Sequence, residues 1–268
     1  MLNACQSPEN HRPAEAAVAG PPIADVRAHT VASANGDRSD PYYWLRDDER
    51  KSPDVLAYLN AENAWFEKHM EPLEPLTERL YQEIIGRIKQ DDATVPYRKH
   101  GYWYYTRYAE GQEYPIHARR KGSMDAAEEI LLDGNALAEG HDFFQIANFA
   151  VSDDGRWLAW VEDTVGRRQY VLRFKDLLTG TVLPETLSGL SASLAWAADN
   201  KTLFFVENDP ETLLTKRVKR HRLGDDPANA TLVYDEPDDS YYMGVGRTGD
   251  DRYLLIHSSS TVSDELRF

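Results

Sequence analysis

The stretch "GLSAS", Gly189 to Ser193, comes nearest to a nucleophilic serine motif, Gly-x-Ser-x-Gly, but Ser193 stands where the second glycine would be. Such a motif holds its serine on a strained strand-to-helix turn with no room for neighbouring side chains. Ser191 is therefore read as part of a strand. A second serine run, Ser258 to Ser260, adjoins His257. Neighbours in a strand point to opposite faces, so His257 is badly placed to take a proton from Ser258. "GVGRTGDD", Gly244 to Asp251, is glycine-rich, but a phosphate cradle needs a helix to follow and "RYLLIH" reads as a strand. The pairs Asp47-Asp48 and Asp91-Asp92 are adjacent, and adjacent side chains do not face each other on a regular element. The eight histidines are scattered, without His-Glu-x-x-His or a Cys/His cluster. No catalytic residue, metal ligand or cofactor-binding residue is assigned from these patterns.

The net charge is −15, from 30 basic and 45 acidic residues. Such a surface is repelled by phosphate backbones and anionic membranes and favours solubility or cationic partners. The basic run "TKRVKRHRLG", Thr215 to Gly224, is read as a solvated outer strand facing Asp225, Asp226, Asp235 and Glu236 rather than a nucleic-acid patch. No nucleic-acid partner is expected. No run approaches the roughly 18 apolar residues of a membrane span. The single cysteine, Cys5, excludes an internal disulfide. Residues 1–30, rich in Ala, Pro and Gly, read as a disordered leader. Within them "LNAC", Leu2 to Cys5, resembles the end of a lipoprotein signal, either by chance or because the true start lies upstream. A cytoplasmic or periplasmic location follows.

Two helices come next. "SPDVLAYLNAENAWFEKHM" offers Ser52 as N-cap, Pro53 at the first position and Asp54 beside the positive helix end. Residues 53–69 are expected to be helical, with Val55, Leu59 and Phe66 near one face. Residues 75–89 are expected to form a second helix with Leu76, Leu80, Ile84 and Ile88 in one stripe. "KQDDATVPY" marks a boundary, and short aromatic and β-branched runs punctuated by Gly, Asp and Asn follow.

These runs echo one another. "VSDDGRWLAWVED", "WAADNKTLFFVEN" and "GRTGDDRYLLIHS" align Asp154, Asp199 and Asp250, separated by 45 and 51 residues. Leu158, Leu203 and Leu254 then fall together, and "HGYWYYTRY" is a fainter earlier copy. A four-stranded propeller blade takes roughly 40–50 residues with a turn between its strands. The expected fold is mainly β: an incomplete β-propeller of about three and a half blades. The three aspartates should occupy equivalent hairpin turns, with successive sheets fanned about an axis. The expected domains are a leader over 1–30, a helical segment over 31–92 and the propeller over 93–268.

"DPYYWLRDDERKSPDVLAYLNAEN", Asp40 to Asn63, resembles the N-terminal signature of the prolyl oligopeptidase family of serine peptidases. "VPYRKHGYWYYTRYAEGQEYPIHARRKG", "GRRQYVLRFKDLLTG" and "DDSYYMGVGRTGDDRYLLIHSSSTVSDELR" resemble the branch that cuts short peptides after Arg or Lys. The resemblance runs from about Asp25 to Phe268. It implies that the helical segment packs on a C-terminal α/β-hydrolase domain, absent here, and that the propeller screens the active site. It also implies that the serine, aspartate and histidine of the triad lie in that domain. The implied function is the N-terminal half of a serine-type oligopeptidase acting on short basic peptides, inactive by itself. The alternative is a non-enzymatic acidic propeller that binds a partner.

Overall fold

The computed structural model describes residues 20–268. Cys5 and most of the expected leader lie outside the described residues. The chain divides into two compact units, Met1–Ile88 and Lys89–Phe268.

In the first unit, β1 (Thr30–Val31) pairs with β2 (Arg38–Ser39). The end of the expected leader is tied down. The Arg27 N–H donates to the Pro41 carbonyl at 3.0 Å, and Trp44 Nε1 donates to the Asp25 carbonyl at 2.8 Å. The Arg27 guanidinium covers the Trp44 ring, and His29 stacks on Tyr43. Helix α1 (Pro53–Met70) has proline at its first position, as expected, but the Ser52 side chain makes no cap. Instead Asp47 accepts the Ser52 N–H at 2.6 Å. Helix α2 (Glu74–Ile85) stops four residues short of the expected end, because the chain tightens into a turn at Gly86. Val55 is buried, whereas Leu59, Phe66, Leu80 and Ile84 are exposed, Ile84 by 59%.

The second unit is a set of antiparallel meanders. The first blade is β3 (Tyr97–Lys99), β4 (Tyr102–Arg107), β5 (Ile116–Lys121) and β6 (Glu128–Asp133), followed by the short helix α3 (Gly134–Ala138). Next come β7 (Gln145–Val151), β8 (Trp157–Asp163), β9 (Tyr170–Asp176), β10 (Leu187–Trp196), β11 (Thr202–Asn208), β12 (Thr215–Arg222) and β13 (Thr231–Asp235). These seven strands are hydrogen-bonded in one sheet. The expected separate sheets for the second and third blades are thus merged, and β10 is the reason. Its first half pairs with β9, and its register breaks between Leu190 and Leu194 as it moves on to β11. It is the outer strand of one blade and the inner strand of the next. Gly189, at φ +74°, permits the bend. The fourth group is β14 (Tyr242–Arg247), β15 (Leu254–Ser259) and β16 (Asp264–Arg267).

Strand alternation builds three cores. Leu158 and Trp160 of β8 face Tyr104, Leu131 and Leu132 of the first blade. Ala159 and Val161, one residue out of step, join Phe174, Leu194, Trp196, Leu203 and Phe205 between the second and third blades. Val206 and Val218 then meet Met243, Val245 and Ile256 of the fourth. The middle strands are buried on both faces, which is why "LAWV" and "LFFV" are continuous apolar runs rather than alternating ones.

Candidate functional site

The second, third and fourth blades each turn from the inner to the second strand through the aspartate that the repeat singled out. Asp154 accepts the N–H of Arg156, Asp199 those of Lys201 and Thr202, and Asp250 that of Arg252. The following residue is left-handed in every case: Gly155 at φ +76°, Asn200 at +58° and Asp251 at +58°. The fainter copy closes more tightly, with His100 at +47° and Gly101 at +82° between paired Lys99 and Tyr102. Local hydrogen bonds of Asx type hold the three aspartate loops.

The turns converge. Asn200 Oδ1 accepts the Asp154 N–H at 2.9 Å. Arg247, at the end of β14, places Nη1 2.6 and 2.8 Å from the two carboxylate oxygens of Asp153 and donates from Nη2 to the Asp251 carbonyl. His100 Nε2 lies 2.9 Å from Asp251 Oδ2, and its Nδ1 lies 3.9 Å from Asp153 Oδ1. Lys99 Nζ is 3.6 Å from Asp251 Oδ1. Burial works against the Asp251 charge, but His100, Lys99 and Arg247 outweigh it and hold the carboxyl below its ordinary range. Two carboxylates, an arginine and a lysine balance, with one imidazole between them.

At the opposite end of the strands lies the point where the chain enters this unit. Ala93 bridges to Arg107, and the Thr94 N–H donates to the Thr106 carbonyl at 2.8 Å. On the same end, buried Asp163 accepts the N–H groups of Val165, Gly166 and Arg168, and Asp209 those of Glu211 and Thr212. Between these two loops opens a cavity of about 610 Å³ with Val165, Gln169, Asn208, Asp209, Pro210 and Leu213 on its walls. Asn208 Oδ1 is buried there without a hydrogen-bond partner among the described residues. Leu213 is held at φ +60°, which a leucine adopts only under constraint.

Ser193 and Ser258 are structural. Ser193 Oγ accepts the Val245 N–H at 2.8 Å and donates to the Val245 carbonyl, stitching the third blade to the fourth. Ser258 is buried beside Glu236 and Arg267, while His257 points to solvent on the other face of β15, as the alternation requires. A hydroxyl–imidazole contact that sequence spacing did not suggest joins Thr106 Oγ1 to His117 Nδ1 at 2.9 Å across β4 and β5. Burial lowers the proton affinity of His117, which packs on Phe149. Asp47 caps a backbone N–H, Asp48 pairs with Arg46, and Asp91 lies beside Lys89. The basic strand β12 lies inside β13 rather than at the outer edge, and four of its five Lys and Arg side chains are paired while exposed Arg220 makes no ion pair among the described residues. Lys219 and Arg217 meet Glu207, Arg217 also meets Asp235, Lys216 meets Asp239, and Arg222 meets Asp199. Asp226 instead caps a short turn, Glu236 holds Tyr234 and Asp225 makes no ion pair among the described residues, so of the four expected carboxylates only Asp235 pairs with the strand.

This geometry belongs to a described class of domain. The family described as prolyl oligopeptidase, N-terminal beta-propeller domain, matches residues 21–268. The chain belongs to that family. It is 50% identical to dipeptidyl aminopeptidase BI of Pseudoxanthomonas mexicana over 94% of its length, and 30% identical to protease 2 of Moraxella lacunata over 91%. Among solved structures it is similar to oligopeptidase B from Leishmania major, with a TM-score of 0.86 and 30% identity over 92% of the chain. The chain spans 37% and 36% of the two curated relatives and 37% of the solved structure. The blades with their aspartate turns are therefore the propeller of a prolyl oligopeptidase-family protein.

Proposed function

We propose that this chain is the N-terminal part of a serine-type oligopeptidase that cleaves short peptides after Arg or Lys. In this reading the propeller restricts access, and the triad lies outside these 268 residues. The likeness to oligopeptidase B in both the helical and the propeller unit carries it. The end at which the chain enters the propeller, with its loops and cavity, would face the hydrolase domain. The apolar stripe of α1 and α2 would pack on the same domain, and the net charge of −15 suits basic peptides. The 50% identity to dipeptidyl aminopeptidase BI favours a second reading, removal of dipeptides from a free amino terminus.

Expressing the whole reading frame and following peptide products by mass spectrometry separates the two. Cleavage after Arg or Lys inside an N-acetylated peptide supports the first reading. An intact blocked peptide, with the free one shortened two residues at a time, replaces it by the second. No hydrolysis of either peptide leaves the acidic binding module.

A further inference from the structure

We propose that the cavity between the β8–β9 and β11–β12 loops takes a cationic side chain of a peptide, an alkyl stem ending in a guanidinium. Its volume of about 610 Å³ falls within the usual range of ligand clefts, roughly 300–1,000 Å³, and leaves room for peptide backbone on either side of that residue. Both walls are set before anything binds. Asp163 fixes the loop of Val165 through three backbone N–H groups. The opposite loop closes on itself: the Asp209 N–H donates to the Leu214 carbonyl at 2.7 Å, and the Leu213 N–H to the Asp209 carbonyl at 2.9 Å. Val165, Pro210 and Leu213 supply apolar surface, with Val165 60% and Leu213 43% exposed, and an alkyl stem laid across them takes that surface out of water.

The polar lining has acceptors to spare. Asp209 takes its hydrogen bonds from Glu211 and Thr212 on Oδ1 alone, and its Oδ2 accepts none among the described residues. The Thr212 and Glu211 N–H groups hold its carboxyl below the ordinary range, so it stays ionised. Asn208 Oδ1, one residue back, also lacks a partner among the described residues, so nothing holds that amide from turning toward a ligand. The neighbouring charges are spoken for. Arg217 is shared between Glu207 and Asp235, each at 3.2 Å, Lys219 meets Glu207 at 2.6 Å, and Lys216 is bonded to Asp239. Three cations answer three anions, and the charge of Asp209 is left over. A guanidinium offers five N–H donors in a planar fork and meets two acceptors on successive residues better than an ammonium does. That this guanidinium belongs to a peptide substrate rests on the function proposed above.

The test is photolabelling of the protein expressed from its whole reading frame, with an arginine amide that carries an alkyl diazirine on its α-nitrogen. Peptide mapping by mass spectrometry should find label on residues 165–171 and 208–213. Unlabelled N-acetylarginine amide should compete, and the neutral isostere N-acetylcitrulline amide should not. Asp209→Asn keeps the Oδ1 acceptor of the turn and removes only the charge, and it should raise the half-saturating probe concentration about three- to tenfold. Val165→Trp fills the cavity without touching a polar group and should abolish the label on residues 208–213. No label in either segment, equal competition by the citrulline amide, or unchanged saturation in Asp209→Asn would each overturn the proposal. Competition by N-acetylglutamate amide in place of the arginine amide would also overturn it, because Arg217 would then be receiving an anion. Labelling needs no turnover, so the two readings fail separately. A protein that cuts Arg peptides without label here keeps its proposed function and loses this site, and one that is labelled here without cutting them keeps the site and loses the function.

Discussion

Among single residues, Glu128 carries the most strongly shifted carboxyl. Arg107 binds it through Nε and Nη2 at 3.0 and 2.9 Å, and Tyr105 donates to it at 2.7 Å. The arginine's hydrogen bonds dominate, burial opposes them, and the pKa falls to about 2. A carboxyl depressed in the folded state stabilises above its unfolded pKa, and that stability is lost as pH falls from about 4.5 toward 2. Solvent screening limits the contribution to about 1–2 kcal/mol. Glu128→Gln should lose that amount at neutral pH in urea unfolding and show a flatter acid limb. The turn aspartates form a series: Asp154→Ala, Asp199→Ala and Asp250→Ala should each lower the urea midpoint in the same measurement. A cost confined to one of them would break their equivalence. These turns were legible in the sequence because an aspartate and a left-handed residue fix a loop locally. The bridge from Ser193 to Val245 and the meeting of His100 with Asp251 were not, because partners 52 and 151 residues apart leave no local pattern.

At the level of elements, the burial of β8 and β11 on both faces makes large-to-small changes costly. Phe205→Ala, at 1% exposure between two blades, should destabilise by about 3–5 kcal/mol in urea, whereas Leu232→Ala on the outer strand β13 should stay within about 0.5 kcal/mol. Near-equal losses would remove the distinction between inner and outer strands. Strand identity was readable from branched and aromatic runs, and the helices from apolar spacing. The sharing of β10 was hidden, since "LSGLSASLAW" contains one glycine and no turn cluster to mark where its pairing changes. Helix α2 ended early because Gly86 weighs against a helix more than the apolar spacing of Ile88 favours one.

For the molecule as a whole, α1 and α2 set the behaviour in solution. Exposed Leu59, Phe66, Leu80 and Ile84 make an apolar surface of the kind that seeks a partner. Residues 1–268 purified alone should self-associate with rising concentration in light scattering, and Leu80→Glu with Ile84→Glu should suppress it. A monodisperse wild type would show that this surface needs no cover. The same preparation should neither turn over a fluorogenic Arg peptide nor be labelled by a serine-directed fluorophosphonate, because Ser191 and the run Ser258 to Ser260 lack the elbow glycines of an activated nucleophile. The family was legible from the segment around Trp44 and from the repeated turns.

The shared strand β10 also decides where this architecture can change length. Between the first and second blades the chain runs through α3 and the loop after it, and between the third and fourth through Glu236 to Tyr241. Extra residues there disturb no ladder. Between the second and third blades there is no such joint: residues Leu187 to Trp196 serve two ladders at once. An insertion in that stretch would throw one of the two out of register and turn its core side chains to the wrong face. Loop grafts and tags should thus be accommodated at the outer two joints, while the middle pair of blades travels as an indivisible block.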